Sequence, residues 1–192
     1  MKSINIFCFG FGQVAKSFIK KLNLEKININ LSVTSREKSK KKQIDGITYH
    51  NYHFNDFKYD KDLIVKLKNS DYILISIPPV NGVDIVVKNF KEEIKKSNPR
   101  WITYLSATSV YGNHNGNWVD ELSKTEPTSI NGIDRLNSEK TWLNFSVINN
   151  LKLQIFRLSG IYSNTNNVLI KLKKGEVKII NKKNHFFSRI HL

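Results

Sequence analysis

Gly10, Gly12 and Ala15 stand in the spacing G-x-G-x-x-A, and each small residue has a mechanical task suited to phosphate chemistry. Glycine at the first position lets a chain turn tightly off a strand. Glycine at the second admits backbone close to a pyrophosphate, and a small third residue lets a helix pack near a sheet. The N–H groups and positive dipole end of a helix starting there favour an anion. The chemistry implied is the holding of a dinucleotide, provided a strand precedes the turn and a helix follows it.

Both flanks satisfy that condition. Ile4, Ile6, Phe7, Cys8 and Phe9 form a near-continuous apolar run, as in a strand covered on both faces of a parallel sheet. Val14/Ala15, Phe18/Ile19 and Leu22 then recur at a spacing of four, leaving Lys16, Lys20 and Lys21 for solvent, which predicts a helix. Residues 28–34 alternate Ile29, Leu31 and Val33 with polar residues and read as a second strand ending in Thr34, Ser35 and Arg36. At such a tip an acid would take the 2′-hydroxyl of NAD and an arginine the 2′-phosphate of NADP. No acid stands here, so Ser35 and Arg36, with Lys38 and Lys40 nearby, favour NADP, with NAD as the alternative; the competing reading is a solvated basic helix start.

Further strands are expected at 47–54, 72–77 and 101–105, with helical segments between the second and third strands, at Leu63/Val65/Leu67 and along Val83, Val86/Val87, Phe90 and Ile94. Alternation of this kind implies an α/β fold with a doubly wound parallel sheet. Ligands in such folds meet the carboxyl ends of the strands. The candidate cofactor contacts are therefore Gly10, Phe11, Gly12, Gln13 and Val14 at the first turn, Ser35 and Arg36, Asp56 at the next turn, then Ser76, Ile77 and Pro78, and Ser106. Leu136, Trp142, Leu143, Phe145 and Val147 mark a later helix whose aromatics belong in the core, and 153–158 a sixth strand.

The segments LSATSVYG (105–112), WVDE (118–121) and RLNSEKTWL (135–143), with the glycine turn, resemble the extended short-chain dehydrogenase/reductase superfamily. The resemblance is narrower to an atypical bacterial branch of NAD(P)-binding, epimerase/dehydratase-like proteins. It implies a Rossmann fold over 1–160 and the beginning of an incomplete substrate-binding region over 161–192. It also implies oxidoreduction or epimerisation of a small polar or nucleotide-sugar-like substrate, and it leaves room for a homodimer. SGIY at 159–162 resembles the turn that passes cofactor contacts on to the substrate region, and the 185–192 segment resembles one that relatives continue, so a truncated product or a fragment is expected.

Typical members use a Ser or Thr and a Y-x-x-x-K pair, the lysine lowering the tyrosine's pKa so that it moves a proton at a carbinol. Matched through Glu139 and Tyr111, those three positions are Ala107, Asn131 and Arg135 here. All depart from the pattern, which supports fold and cofactor more than chemistry. Thr108, Tyr111 and Arg135 remain the catalytic candidates. Against them stand plainer readings of Tyr111 and Thr108 as turn or loop residues, while Arg135 keeps a charge for a ribose or substrate anion but is a poor proton carrier. His114, in the loop NHNGN, reads as an acid–base group or a solvated side chain, and Asp120 and Glu121 as the family's acidic pair or as surface residues. A sensor or scaffold that binds cofactor without chemistry is the alternative function.

Composition narrows the field. The 192 residues carry a net charge of +15, of which +4 lies in 36–42 and +6 from Lys171 onward. Neither segment is interleaved with stacking aromatics, so nucleic acid is not the expected partner. The single cysteine, Cys8, lies within the first strand and reads as a buried thiol. His50 and His53, three apart on a strand, face opposite ways, so no metal site is expected. With no apolar run long enough for a leader or a membrane helix, a cytoplasmic protein is expected.

Overall fold

The computed structural model describes residues 3–177 and 186–192. Strand β1 (Ile4–Phe9) leads through Gly10–Gly12 into helix α1 (Gln13–Leu24). Strands β2 (Ile29–Ser35), β3 (Lys40–Ile44) and β4 (Ile47–His53) follow, then α2 (Leu63–Lys68), β5 (Tyr72–Ile75), α3 (Ile85–Ser97) and β6 (Trp101–Ala107). A single 3-10 turn, Thr108–Val110, and a long loop precede α4 (Ile130–Ile148) and β7 (Leu153–Leu158). Seven strands form one sheet in the order β3-β4-β2-β1-β5-β6-β7, parallel throughout except for β3. This is the Rossmann-like arrangement expected.

β1 is the axis of the core because its alternation serves two covered faces. Phe7 and Phe9 pack with Phe90, Ile94, Ile102 and Trp142 beneath α3 and α4. Ile6 and Cys8 pack with Ala15, Ile19, Leu31 and Val33 beneath α1. Burying the large side chains of each face stabilises the sheet by roughly 1.5–3 kcal/mol apiece, before chain entropy is set against it.

Four expectations change. The connection between the second strand and the one at 47–54, expected as helical, instead carries β3, an antiparallel edge strand paired to β4 from Lys40↔Asn51 to Ile44↔Ile47. A lysine-rich strand is stable there because an edge leaves its charges in water and discourages further pairing. On α4 the buried residues are Gly132, Ser138, Glu139, Trp142 and Ser146, while Leu143 and Val147 are exposed. Phe18 on α1 and Val83, which precedes α3, are likewise exposed. α3 starts only at Ile85 because Asp84 caps it, its Oδ1 accepting from the Val86 and Val87 amides at 3.0 Å.

Beyond β7, β8 (Gly160–Tyr162) pairs in parallel with β9 (Arg189–His191) as a separate two-stranded sheet, with α5 (Val168–Lys173) between them in sequence. α5 buries no side chain. A truncated product also implies weak anchoring of the basic segment 171–183, of which 178–183 lies outside the described residues. Among the described residues no helix is long and apolar enough to cross a membrane.

Candidate functional site

A cleft of about 900 Å³ opens at the carboxyl ends of the parallel strands. It is lined by all twelve residues named above as cofactor contacts, and Arg135 reaches it from α4.

The first turn is built by two glycines with different duties. Gly10 has φ +82°, and its N–H donates to Thr34 Oγ1 at 3.0 Å, tying the end of β1 to the end of β2. Gly12 is the residue before α1, with φ −79°, and no side chain caps the helix. Gly12 lines the cleft, and a β-carbon on it would meet nothing within 4 Å. The first helical bond inside α1 runs from Lys16 N to Gly12 O. Among the described residues the amides of Gln13, Val14 and Ala15 therefore find no acceptor, and they bring the positive end of the helix to the cleft wall.

At the second strand end Arg36 is exposed and makes no ion pair among the described residues. Its acidic neighbour Glu37 is engaged elsewhere. Lys42 Nζ donates to Glu37 Oε2 at 2.6 Å and holds that carboxyl below its usual range. Beside it Asn55 shapes the turn at Asp56, its Oδ1 accepting from the Phe57 and Lys58 amides at 2.9 Å. Ser106 lines the cleft, and its hydroxyl is buried without a partner among the described residues. An orphaned hydroxyl of this kind fits a polar ligand atom, since leaving it unpaired costs about 1–3 kcal/mol.

The catalytic candidates separate. Arg135 lines the cleft, and its Nη1 donates to the Leu105 carbonyl at 2.8 Å. Ala107 lines it too and offers only a methyl group, whereas Asn131 is exposed on the first turn of α4 and does not line it. Neither Thr108 nor Tyr111 lines it. Tyr111 is buried, with the Arg157 guanidinium 4.8 Å from its ring centre. Arg157 in turn grips the buried Glu139 through Nε at 3.1 Å and Nη2 at 2.8 Å. His114 Nε2 lies 3.1 Å from the carbonyls of both Tyr111 and Lys124, so it ties the loop together. Asp120 accepts from the Ser123 hydroxyl at 2.7 Å, which holds its carboxyl below the usual range, and Glu121 is exposed.

Thr34, Phe54, Asn55, Val80 and Leu158 also line the cleft without having been singled out as contacts. Ser159 and Ile161 join them from the SGIY turn. Gln13 Oε1 accepts from Asn166 Nδ2 at 3.3 Å, which links the start of α1 to the loop after β8.

No protein-family model and no curated protein sequence matches the chain. Solved structures do. A functionally unknown conserved protein from Silicibacter pomeroyi is 31% identical, with a TM-score of 0.78 over 97% of this chain and 63% of its own. A UDP-N-acetylglucosamine 4-epimerase from Methanobrevibacter ruminantium, in complex with UDP-N-acetylmuramic acid, is 17% identical with a TM-score of 0.78 over 100% and 70%. A UDP-glucuronic acid 4-epimerase from Bacillus cereus, in complex with NAD, is 17% identical with a TM-score of 0.65 over 82% and 56%. The chain has the fold of these epimerases and spans between 56% and 70% of the length of the three.

Proposed function

We propose that this chain binds a nicotinamide dinucleotide, NADP in preference to NAD, and belongs to the epimerase/dehydratase-like branch of the extended short-chain dehydrogenase/reductases. The observation that carries the reading is the uncapped start of α1 behind Gly12, open to the cleft. The similarity of fold to an epimerase solved with NAD supports the dinucleotide, and the absence of an acid at Ser35–Arg36 supports the choice of NADP. The amides of Gln13 and Val14 hold the pyrophosphate, and Ser35 and Arg36 face the adenosine ribose and its 2′-phosphate. Ser106 and Arg135 lie toward the nicotinamide half. A bound nicotinamide supplies hydride transfer, which serves oxidoreduction or epimerisation of a small polar or nucleotide-sugar-like substrate.

A second reading, cofactor binding without turnover, is favoured by the lining itself. Its ionisable side chains are Arg36, Asp56 and Arg135, and none of them is a tyrosine, lysine or histidine suited to moving a carbinol proton near neutral pH.

Fluorescence titration with NADPH and NADH tests the binding. Saturation below about 1 mM, tighter for NADPH, is expected, and no binding of either in that range overturns the proposal. Incubation of the NADP-loaded chain with UDP-sugars separates the two readings: turnover supports the enzyme, and stoichiometric binding without product supports the silent form.

A further inference from the structure

At the opposite, amino end of the parallel strands lies a second groove, of about 410 Å³, between α2 and the starts of β1, β2 and β4. The two sites are separated along β1 by about 13–17 Å, four to five residues of strand. A sheet face lying under a helix is normally apolar, and here it is not. Ser32 on β2 pairs with His50 on β4, and His50 pairs with Lys41 on β3, so the three sit in one cross-strand row. α2 is only six residues long, and it packs on α3 and brings Lys66 to the groove's other side.

Lys41, His50 and Lys66 converge there from three elements, and no acidic side chain lines the groove. The nearby Asp71 is occupied: Oδ2 accepts from the Asn5 amide at 2.9 Å and Oδ1 faces Arg100 Nε at 3.5 Å. Among the described residues the side chains of Lys41 and Lys66 have no hydrogen bond or ion pair, and His50 has only its ring contact with Tyr52. Among the described residues the hydroxyls of Ser32 and Thr48 are also without partners, while Asn30 spends one N–H on Asn5. Ser32 and His50 are half-buried at the floor of the groove, and Lys41, Thr48 and Lys66 are exposed around them, so the concavity presents a set of donors whose partners must come from outside the described residues.

We infer that this groove binds a small phosphorylated molecule, with its phosphate held between Lys41 and Lys66 beside His50. The hydroxyls of Ser32 and Thr48 and the amide oxygen of Asn30 face the ligand's remaining polar groups. A phosphate supplies acceptors only, which matches a groove rich in donors. Of the two rings in its lining Tyr49 is buried and His50 is engaged with Tyr52, so neither offers a free platform for a stacked base, which favours a small molecule over a nucleic-acid strand.

The test is an amide NMR titration of the whole chain with inorganic pyrophosphate, the dinucleotide cleft being followed separately at Gln13 and Val14. Shifts at Ser32, Thr48, His50 and Asn69 saturating near or below about 1 mM are expected. In Lys41→Gln/Lys66→Gln, two exposed positions, half-saturation at those amides should rise about tenfold or more, with the Gln13 curve unmoved. Circular dichroism checks that this variant is folded. The inference is overturned if the groove amides stay still, if the double variant leaves their curve unchanged, or if a single-stranded oligonucleotide saturates them more tightly than pyrophosphate at physiological salt. Because the groove and the cleft are read at different amides, failure of one leaves the other standing.

Discussion

Gly10 faces Ser76 so closely that a β-carbon on the glycine would stand 2.7 Å from the serine Oγ and 3.0 Å from Ile77 Cγ1. Ser76 cannot retreat freely, because its N–H and its hydroxyl both donate to the Phe9 carbonyl, at 2.9 and 3.1 Å. With φ +82° as well, Gly10→Ala should cost about 1–3 kcal/mol of stability. Denaturant unfolding measures this, and an unchanged midpoint would contradict the packing described.

Gly12 should behave in the opposite way. Its open side leaves room for a larger residue, so Gly12→Asp keeps the melting temperature near that of the parent while setting a carboxylate against the phosphates. NADPH affinity should fall about a hundredfold or more. Unchanged affinity would move the phosphates away from this turn.

Arg36→Ala separates the two dinucleotides. Loss of a charge-assisted contact to the 2′-phosphate should weaken NADPH by about tenfold or more and leave NADH nearly unchanged. Equal effects on both would remove the proposed preference.

The pair Arg157 and Glu139 makes a stability prediction. Glu139 is 1% exposed, so Arg157→Met leaves a buried carboxylate unpaired at a cost of about 3–5 kcal/mol. Glu139→Leu in the same chain should recover much of that loss. A double variant no more stable than Arg157→Met alone would contradict the account.

Cys8 gives a pH signature. Burial pushes its thiol up to about 12 from an ordinary 9.0. The folded value lies above the unfolded one, so the contribution of the protonated thiol is whole below pH 9.0 and is lost as pH rises towards about 12. Across that window Cys8→Ala should lose stability with pH less steeply than the parent. Being the only thiol in the chain, Cys8 should also react with thiol reagents only on unfolding.

How much of this was legible beforehand depended on whether the signal was local. β1, the glycine turn and α1 announce themselves within some twenty residues, because apolar run, small residues and helical period all fall in one stretch. β3 did not, since an edge strand carrying Lys40, Lys41 and Lys42 has no apolar alternation to read. Thr34 was passed over because its task, accepting from the Gly10 amide, is set by a partner 24 residues away. On α4 the apolar residues drew attention to Leu143 and Val147, while the packed face is held by Trp142, whose Nε1 donates to Asp84 Oδ2 at 2.8 Å, and by the Glu139 ion pair. Buried polar partners of that sort leave no periodic trace.

The two margins of the large sheet are chemically unlike. On one side β3 meets an approaching strand with a hem of ammonium groups; on the other, among the described residues, β7 offers unmatched amides and carbonyls beside a half-uncovered Phe156. The sheet therefore has a direction of growth, closed to new neighbours at one selvedge and receptive at the other.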